Sequence, residues 1–402
     1  MKKILLLGGS AQQLVAIQKA KKLGYKTILC DYLPDNPGQY ISDIFYQEST
    51  TNKEKILEIA EREKIDGIVA YASDPAAPTA AFVAEKLKLP GNPYRSVEIL
   101  CNKDKFRKFL ADNNFNTPKA TAYTDYKELK KDIKKYKFPV MIKPVDSSGS
   151  KGVARVDNFN GLREKFNCAM SFSRVKRVIV EEYVESFGYQ VAGDGFSVDG
   201  KLVFRAFAND HFDKKSPNKY TPVSASFPYN MPIEIHNKIH SEIQKVLDIL
   251  QMKNSAYNFD IRIDKNYNVY LMEIGPRNGG NMIPQIIQLG TGVDMVEYTI
   301  KAAMGENCDD LVMKDFNGFY AYYAVHSLKA GILKDIIFEK NFKNNNIIEV
   351  NLNYSIGDKI PAYTGSNGTL GILLLKFNSE DEMLSKIENI DNYIKVDIEE
   401  SL

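Results

Sequence analysis

Tyr257-Asn258-Phe259-Asp260-Ile261-Arg262-Ile263 and Asn268-Val269-Tyr270-Leu271-Met272-Glu273-Ile274 read as two strands joined by a polar turn, Asp264-Lys265-Asn266-Tyr267. A turn centred between Asn266 and Tyr267 makes Asp260 and Glu273 cross-strand neighbours, about 5 Å apart. Like charges facing each other in an apolar hairpin repel unless a cation sits between them. Two carboxylates at that spacing suit Mg²⁺, which takes one or two protein carboxylates and fills its shell with water and substrate phosphates. A register one residue off sends the two acids to opposite faces.

Outward from this hairpin the chain continues Gly275-Pro276-Arg277-Asn278-Gly279-Gly280-Asn281. A tight turn, an arginine and a glycine pair opening a helix form an anion site, with Arg277 able to fork onto a phosphate or carboxylate. Upstream stands Phe138-Pro139-Val140-Met141-Ile142-Lys143-Pro144, a strand that turns Met141 and Lys143 away from Val140 and Ile142. Ser147-Ser148-Gly149-Ser150-Lys151-Gly152 follows, a loop whose amides and hydroxyls can cradle phosphate oxygens beside the Lys143 ammonium. It lacks the GxxxxGK[ST] pattern and is no Walker loop. Alone it reads equally as a polar hairpin with a snorkelling lysine. Between the two regions, Val178-Ile179-Val180-Glu181-Glu182-Tyr183-Val184 is an apolar strand ending in two acids. Such an end offers backbone amides and a carboxylate to an adenine edge, or is simply solvated.

The first hundred residues alternate strand and helix signals. Strands are expected at 4–7, 26–30 and 67–71, with helical spacing at 14–21, 53–64 and 77–87. That alternation implies right-handed crossovers and a doubly wound parallel sheet, whose ligands sit beyond the carboxyl ends of the strands. Those ends carry Gly8-Gly9-Ser10, Asp31 and Ser73-Asp74-Pro75. Leu89-Pro90-Gly91-Asn92-Pro93 punctuates the chain and marks the first boundary.

A net charge of +2 leaves no bulk electrostatic case for nucleic acid or a membrane surface. The four cysteines, Cys30, Cys101, Cys168 and Cys308, contain no CxxC pair, which argues against a zinc knuckle or disulfide framework and fits a reducing compartment. No stretch reaches the length of a membrane span, so a cytoplasmic location is expected. His236 and His240, four apart on an expected helix, lack a third ligand and an HExxH pattern, and a solvated helix face is expected there. GxGxxG is not met at Gly8-Gly9-Ser10, which counts against a dehydrogenase.

In order and spacing these segments resemble the ATP-grasp carboxylate–amine ligases over nearly the whole chain. The resemblance is carried by Asn102-Lys103-Asp104-Lys105-Phe106, Met141-Ile142-Lys143-Pro144 with its Ser/Gly loop, Val180-Glu181-Glu182-Tyr183-Val184, Asp260, and Glu273-Ile274-Gly275-Pro276-Arg277. It is similar to the group holding phosphoribosylglycinamide synthetase, carboxyaminoimidazole synthetase, biotin carboxylase and the carbamoyl-phosphate synthetase halves. The resemblance implies an α/β and α+β multidomain chain. A doubly wound domain would span residues 1–100, a two-lobed ATP-grasp residues 101–310 with its lid lobe at about 124–185, and a small mixed domain residues 311–402. It implies ATP with Mg²⁺ (Mn²⁺ as the alternative ion), small-molecule carboxylate and amine partners, and a homodimer.

Residue by residue, the resemblance implies that Lys105 and Lys143 contact ATP phosphates, and that Ser147, Ser148, Gly149 and Gly152 belong to the loop closing over them. Glu181 would meet the adenine amino group beside the backbone of Glu182 and Val184. Asp260 and Glu273 would hold the metal, and Arg277 would stabilise an acyl phosphate. Two departures stand out. Gly275 replaces the asparagine most members place there, and the ribose-binding acid has no clear counterpart, with Gly188, Gln190 and Asp194 all near its place. The expected reaction is carboxylate activation as an acyl phosphate, displaced by an amine, with release of ADP and phosphate. A phosphoribosylglycinamide-synthetase-like substrate, an amino-acid or dipeptide ligase, and a bicarbonate-activating enzyme are the substrate alternatives. A non-catalytic ATP or metabolite sensor, with Gly275 marking a decayed metal site, is the alternative of another class.

Overall fold

The computed structural model describes residues 1–400. Ile4, Leu5, Leu6 and Leu7 are all buried, so the first strand has both faces covered. It is β1 (Lys3–Leu7) of a parallel sheet with β2 (Lys26–Asp31), β3 (Ile44–Gln47) and β4 (Gly67–Val69), in the order β3-β2-β1-β4. α1 (Leu14–Lys22) packs Ala16, Ile17 and Ala20 on one face, while α2 (Lys53–Glu63) and α3 (Ala77–Leu87) cover the other. The doubly wound arrangement expected from the alternation is present. β3, four residues at the sheet edge and nowhere fully buried, carries too little hydrophobic pattern to be read from sequence. α4 (Tyr94–Cys101) and α5 (Lys103–Asp112) follow, separated by Asn102, whose extended backbone breaks the helix.

A four-stranded antiparallel sheet comes next, in the order β5-β8-β6-β7, from β5 (Ala120–Tyr123), β6 (Val140–Pro144), β7 (Ala154–Val156) and β8 (Val178–Glu182). α6 (Tyr126–Asp132) and α7 (Leu162–Phe172) close one face around Ile142, Phe166 and Val180. The largest sheet is antiparallel and eight-stranded. It contains β9 (Gln190–Val198), β10 (Lys201–Phe212), β11 (Pro222–Phe227), β12 (Ser255–Ile263), β13 (Val269–Gly275) and β14 (Phe319–Val325). α8 (Ile233–Ile249) packs on one face through Ile239, Ile243 and Val246, and α9 (Ile283–Thr291) and α10 (Met295–Ala303) on the other.

β15 (Gly331–Phe338), β16 (Ile347–Leu352), β17 (Lys359–Ile360), β18 (Gly371–Phe377) and β19 (Ile394–Glu400) complete the strands, with α11 (Lys340–Asn346) and α12 (Glu380–Glu388) among them. The large sheet runs β13-β12-β9-β10-β11-β14-β18-β16, so it crosses the division expected at residue 311. Only β17-β15-β19 forms a separate C-terminal sheet. The apolar runs of β14 and β18 mark them as strands but do not name their partners, because pairing across the chain leaves no local signature.

Candidate functional site

The β12–β13 hairpin pairs Asp260 directly with Glu273, as expected, but by a different route. Next to the turn the pairing is Ile263 with Val269 and Ile261 with Leu271, centred on Asn266 rather than between Asn266 and Tyr267. One extra residue, Met272, then bulges from β13, and the bulge restores Asp260 opposite Glu273. Asp260 Oδ1 is buried and finds no hydrogen-bond partner among the described residues. Burial raises the Asp260 pKa, Arg262 opposes the shift, and Glu273 adds to it. An orphaned carboxylate oxygen facing a second carboxylate fits a divalent cation. No cluster of three or more His, Cys, Asp or Glu residues that could hold a metal occurs among the described residues. An ion here would therefore draw its remaining ligands from phosphate and water, as Mg²⁺ does.

Lys103, at the first turn of α5, places its ammonium 3.0 Å from Glu273 and donates to the Ser147 carbonyl at 3.0 Å. Burial works against the Lys103 charge, but Glu273 and then Asp74 outweigh it and raise the pKa. Lys105 is not at this site. It pairs with Glu98 of α4 at 2.8 Å, with over a third of its side chain exposed. Two helical positions turn a side chain by about 200°, so only one lysine of the Lys103-Asp104-Lys105 segment can face the hairpin.

Lys143 does face inward from β6, where it pairs with Glu181 of β8. Glu181 also accepts from Arg107 Nε at 2.8 Å, and Arg107 donates onward to the Met272 carbonyl at 2.9 Å. Burial would raise the Glu181 pKa; the Arg107 and Lys143 charges outweigh it and bring it down to about 2. Burial lowers the Lys143 pKa, with Glu181 opposing. Both Glu181 oxygens are thus engaged and its side chain is 1 % exposed, so the carboxylate expected to meet an adenine stands in an internal clamp between Arg107 and Lys143. Arg107 was missed because a lone arginine in a short helix carries no local signal.

Beyond Glu181 the backbone forms a hinge between the two antiparallel sheets. The Glu182 amide donates to the Lys119 carbonyl at 2.9 Å, and its side chain accepts from the Lys137 amide. The Val184 carbonyl accepts from Arg262 at 2.6 Å, while Arg262 Nε donates to Gln190. Tyr183 lies between two guanidinium groups, with Arg155 at 4.7 Å and Arg262 at 4.8 Å from its ring centroid. Gln190 in turn donates to Asp210 at 3.1 Å, while Asp194 accepts from the Gly279 amide and Asn258. Burial raises Asp194 to about 6, against those two bonds.

The Ser147-to-Gly152 loop begins at the Ser147 carbonyl, which accepts from Lys103. Gly149 turns it at φ +65°, against Ser366, and Gly152 turns it again at φ +72°. Ser150 donates to the Tyr220 carbonyl at 2.7 Å and accepts, through its own carbonyl, from Asn218 at 3.0 Å. Ser148 is half-buried within the loop.

Arg277 follows the hairpin and forks onto Asp74, with Nε 2.8 Å from Oδ1 and Nη2 on Oδ2. Its Nη1 donates to the Asn278 carbonyl at 3.0 Å. Burial works against the Arg277 charge and the Asp74 carboxylate more than offsets it; burial likewise works against Asp74, and Arg277 holds its pKa down. Gly275 makes this possible, since a Cβ there would lie 2.7 Å from Asp74 Oδ1. Asn278, fully buried, accepts a hydrogen bond from Thr299 at 2.8 Å. Asp31 accepts from the Gly9 amide at 2.7 Å and the Leu33 amide at 2.9 Å, so it closes its own loop. His236 and His240 are half-buried on α8 rather than solvated, and a ring nitrogen of His236 lies 3.1 Å from the Tyr229 carbonyl.

The family described as D-ala D-ala ligase C-terminus matches residues 110–289. The carbamoyl phosphate synthase large chain of Clostridium acetobutylicum is 24% identical over 302 residues, 72% of this chain and 27% of that one. That of Caldanaerobacter subterraneus is 26% identical over 303 residues, 74% of this chain and 28% of that one. The chain thus spans little more than a quarter of the length of these relatives. Among solved structures, an L-amino acid ligase from Bacillus licheniformis superposes with a TM-score of 0.82 at 20% identity, covering 99% of both chains. Phosphoribosylglycinamide synthetase from Anaerococcus prevotii superposes with a TM-score of 0.74 at 23% identity, covering 99% of this chain and 100% of that one. N5-carboxyaminoimidazole synthetase from Staphylococcus aureus, complexed with ADP, gives 0.76 at 15% identity over 97% of each chain. In sequence the chain is thus similar to the D-ala D-ala ligase C-terminus family and to carbamoyl phosphate synthase large chains, and in fold to these ligase and synthetase structures.

Proposed function

We propose that the protein is an ADP-forming ligase that activates a carboxylate with ATP and joins it to an amine. The observation that carries this reading is the facing pair Asp260 and Glu273, with Asp260 Oδ1 buried and unpartnered and Lys103 on Glu273. In this reading residues 1–100 are a substrate platform, residues 101–310 grasp the nucleotide, and residues 311–402 complete the large sheet. Asp260 and Glu273 would hold Mg²⁺, which supplies charge neutralisation to the triphosphate. Lys103 and Lys143 flank the phosphates from α5 and β6, and the Ser147-to-Gly152 loop excludes water from them. The hinge backbone at Glu182 and Val184 receives the adenine edge. The substrate carboxylate attacks the γ-phosphorus and ADP departs; the amine then displaces phosphate from the acyl phosphate. Positioning and electrostatics do this work without a protein nucleophile.

The test is release of ADP and phosphate from Mg-ATP with pooled carboxylates and amines, including amino acids, bicarbonate, and glycine with phosphoribosylamine generated in place. ADP and phosphate released only with substrate support the reading. AMP and pyrophosphate overturn the acyl-phosphate route, and tight ATP binding without turnover favours a sensor. Lys143→Ala should abolish turnover and leave a folded protein, because Arg107 still pairs Glu181.

A further inference from the structure

Asp74 stands where the N-terminal sheet meets the hairpin acids. It lines a small pocket of about 50 Å³ with Cys101, Lys103, Ser147, Arg174 and Glu273. Arg277 does not line that pocket. It holds the Asp74 carboxylate in a two-pronged fork. Of the groups along the wall, Asp74 therefore presents a fixed, nearly buried negative charge, with its side chain 13 % exposed. A carboxylate has about four acceptor positions, and the fork uses two of them. Lys103, across the pocket, has three donors, of which Glu273 and the Ser147 carbonyl take two.

Arg174 and Asp146 also line the pocket and pair with each other at 3.4 Å, so a ligand with negative charge alone meets Asp74 and Glu273 with Lys103 as the cation opposite. A ligand whose carboxylate is accompanied by an adjacent ammonium meets a donor at Lys103 and an acceptor at Asp74. Gly275 bears on the same point independently: any side chain there would strike Asp74 Oδ1 at 2.7 Å, so the glycine reserves the space Asp74 needs. We propose that Asp74, seated by Gly275 and Arg277, is the ammonium-recognition residue of the carboxylate site, and that the carboxylate substrate is an α-amino acid. This rests on the ligase reading above and selects among its carboxylate substrates against bicarbonate.

The experiment compares each proteinogenic L-amino acid with its des-amino acid, for example alanine with propionate and phenylalanine with 3-phenylpropionate, by ADP release from Mg-ATP. Mg-ATP binding is measured separately by calorimetry. An amino acid should outperform its des-amino partner by roughly 100-fold in kcat/KM, the worth of a charge-assisted bond to a buried carboxylate. Asp74→Asn should raise the amino-acid KM about tenfold or more and shrink that preference, with Mg-ATP affinity unchanged. Gly275→Ala should do the same by displacing Asp74, and the double variant should be no worse than Asp74→Asn alone.

Equal use of des-amino acids by the unaltered protein overturns the proposal. So does an Asp74→Asn variant that slows every carboxylate equally while keeping the preference, since that marks a purely structural carboxylate. Mg-ATP binding with no amino acid supporting ADP release overturns the substrate class alone. Absence of Mg-ATP binding overturns the ligase reading, and the proposal with it.

Discussion

The Lys103 ammonium lies 3.0 Å from the Glu273 carboxylate, while Lys105, two residues on, faces Glu98 at 2.8 Å. The pair of lysines separates a site contact from a surface one within a single helical turn. Lys103→Met should therefore lower kcat/KM for ADP release by 100-fold or more, the scale of losing a preorganised charge at a phosphate. Lys105→Met should stay within about threefold, because an exposed ion pair contributes little. Steady-state kinetics of both variants on one substrate checks the assignment, and a Lys105 defect matching that of Lys103 would reverse it.

Asp260 carries a buried, unpartnered oxygen opposite Glu273, and burial raises its pKa. For a carboxyl raised in the folded state, the charged form is the unfavourable one. Its cost appears as pH rises out of the ordinary carboxylate range, unless a cation offsets it. Without metal, Asp260→Asn should be at least as stable at pH 7 as the unaltered chain, by up to about 1 kcal/mol. With ADP present, added Mg²⁺ should raise the Tm of the unaltered protein by several degrees and leave Asp260→Asn nearly unmoved. Thermal melts with Mg²⁺ and with chelator give both numbers. A Mg²⁺ response of full size in the variant would place the ion elsewhere.

Glu181 is held at about 2 by Arg107 and Lys143, against an ordinary 4.5, in spite of its burial. Protons therefore bind the unfolded chain more readily between those values. The stability this clamp supplies is complete above about pH 4.5 and drains away as pH falls toward 2. The shift corresponds to roughly 3 kcal/mol. Glu181→Gln should destabilise the protein by about 3–5 kcal/mol at neutral pH, since it leaves two buried cations facing each other. Urea unfolding at pH 7 and pH 3 should show that gap narrowing at the lower pH. A gap of constant size would mean that the carboxylate carries no such load.

The hairpin acids were legible because strand alternation and a short turn fix which residues face each other. Even there, the turn was misplaced by half a residue, and only the bulge at Met272 returned Asp260 to Glu273. The doubly wound sheet was legible from its uninterrupted apolar β1 and the helix spacing after it. What stayed hidden depends on pairs far apart in sequence. Arg107 reaches Glu181 across 74 residues and Arg277 reaches Asp74 across 203. Nothing local in either segment announces such a partner. Gly275 shows the same limit from the other side. As a letter it looks like a lost ligand, and only the position of Asp74 Oδ1 explains why a side chain is excluded there.

Arg262 ties three parts of the hinge with one guanidinium. It donates to the Val184 carbonyl at 2.6 Å and to Gln190 at 2.9 Å, and stacks on Tyr183. The strand that carries it also carries Asp260, two residues earlier on the same face. Loss of Arg262 should therefore loosen the nucleotide's adenine end while leaving the metal acids in register, because the β12–β13 pairing does not depend on it. Arg262→Ala should raise the KM for ATP by roughly tenfold, about 1.4 kcal/mol, with a smaller effect on kcat. Arg262→Lys should recover only part of this, since a point-charge ammonium cannot bond two acceptors and stack at once. If kcat instead falls while the ATP KM holds, Arg262 acts on the phosphate end, and the hinge assignment at Val184 fails with it.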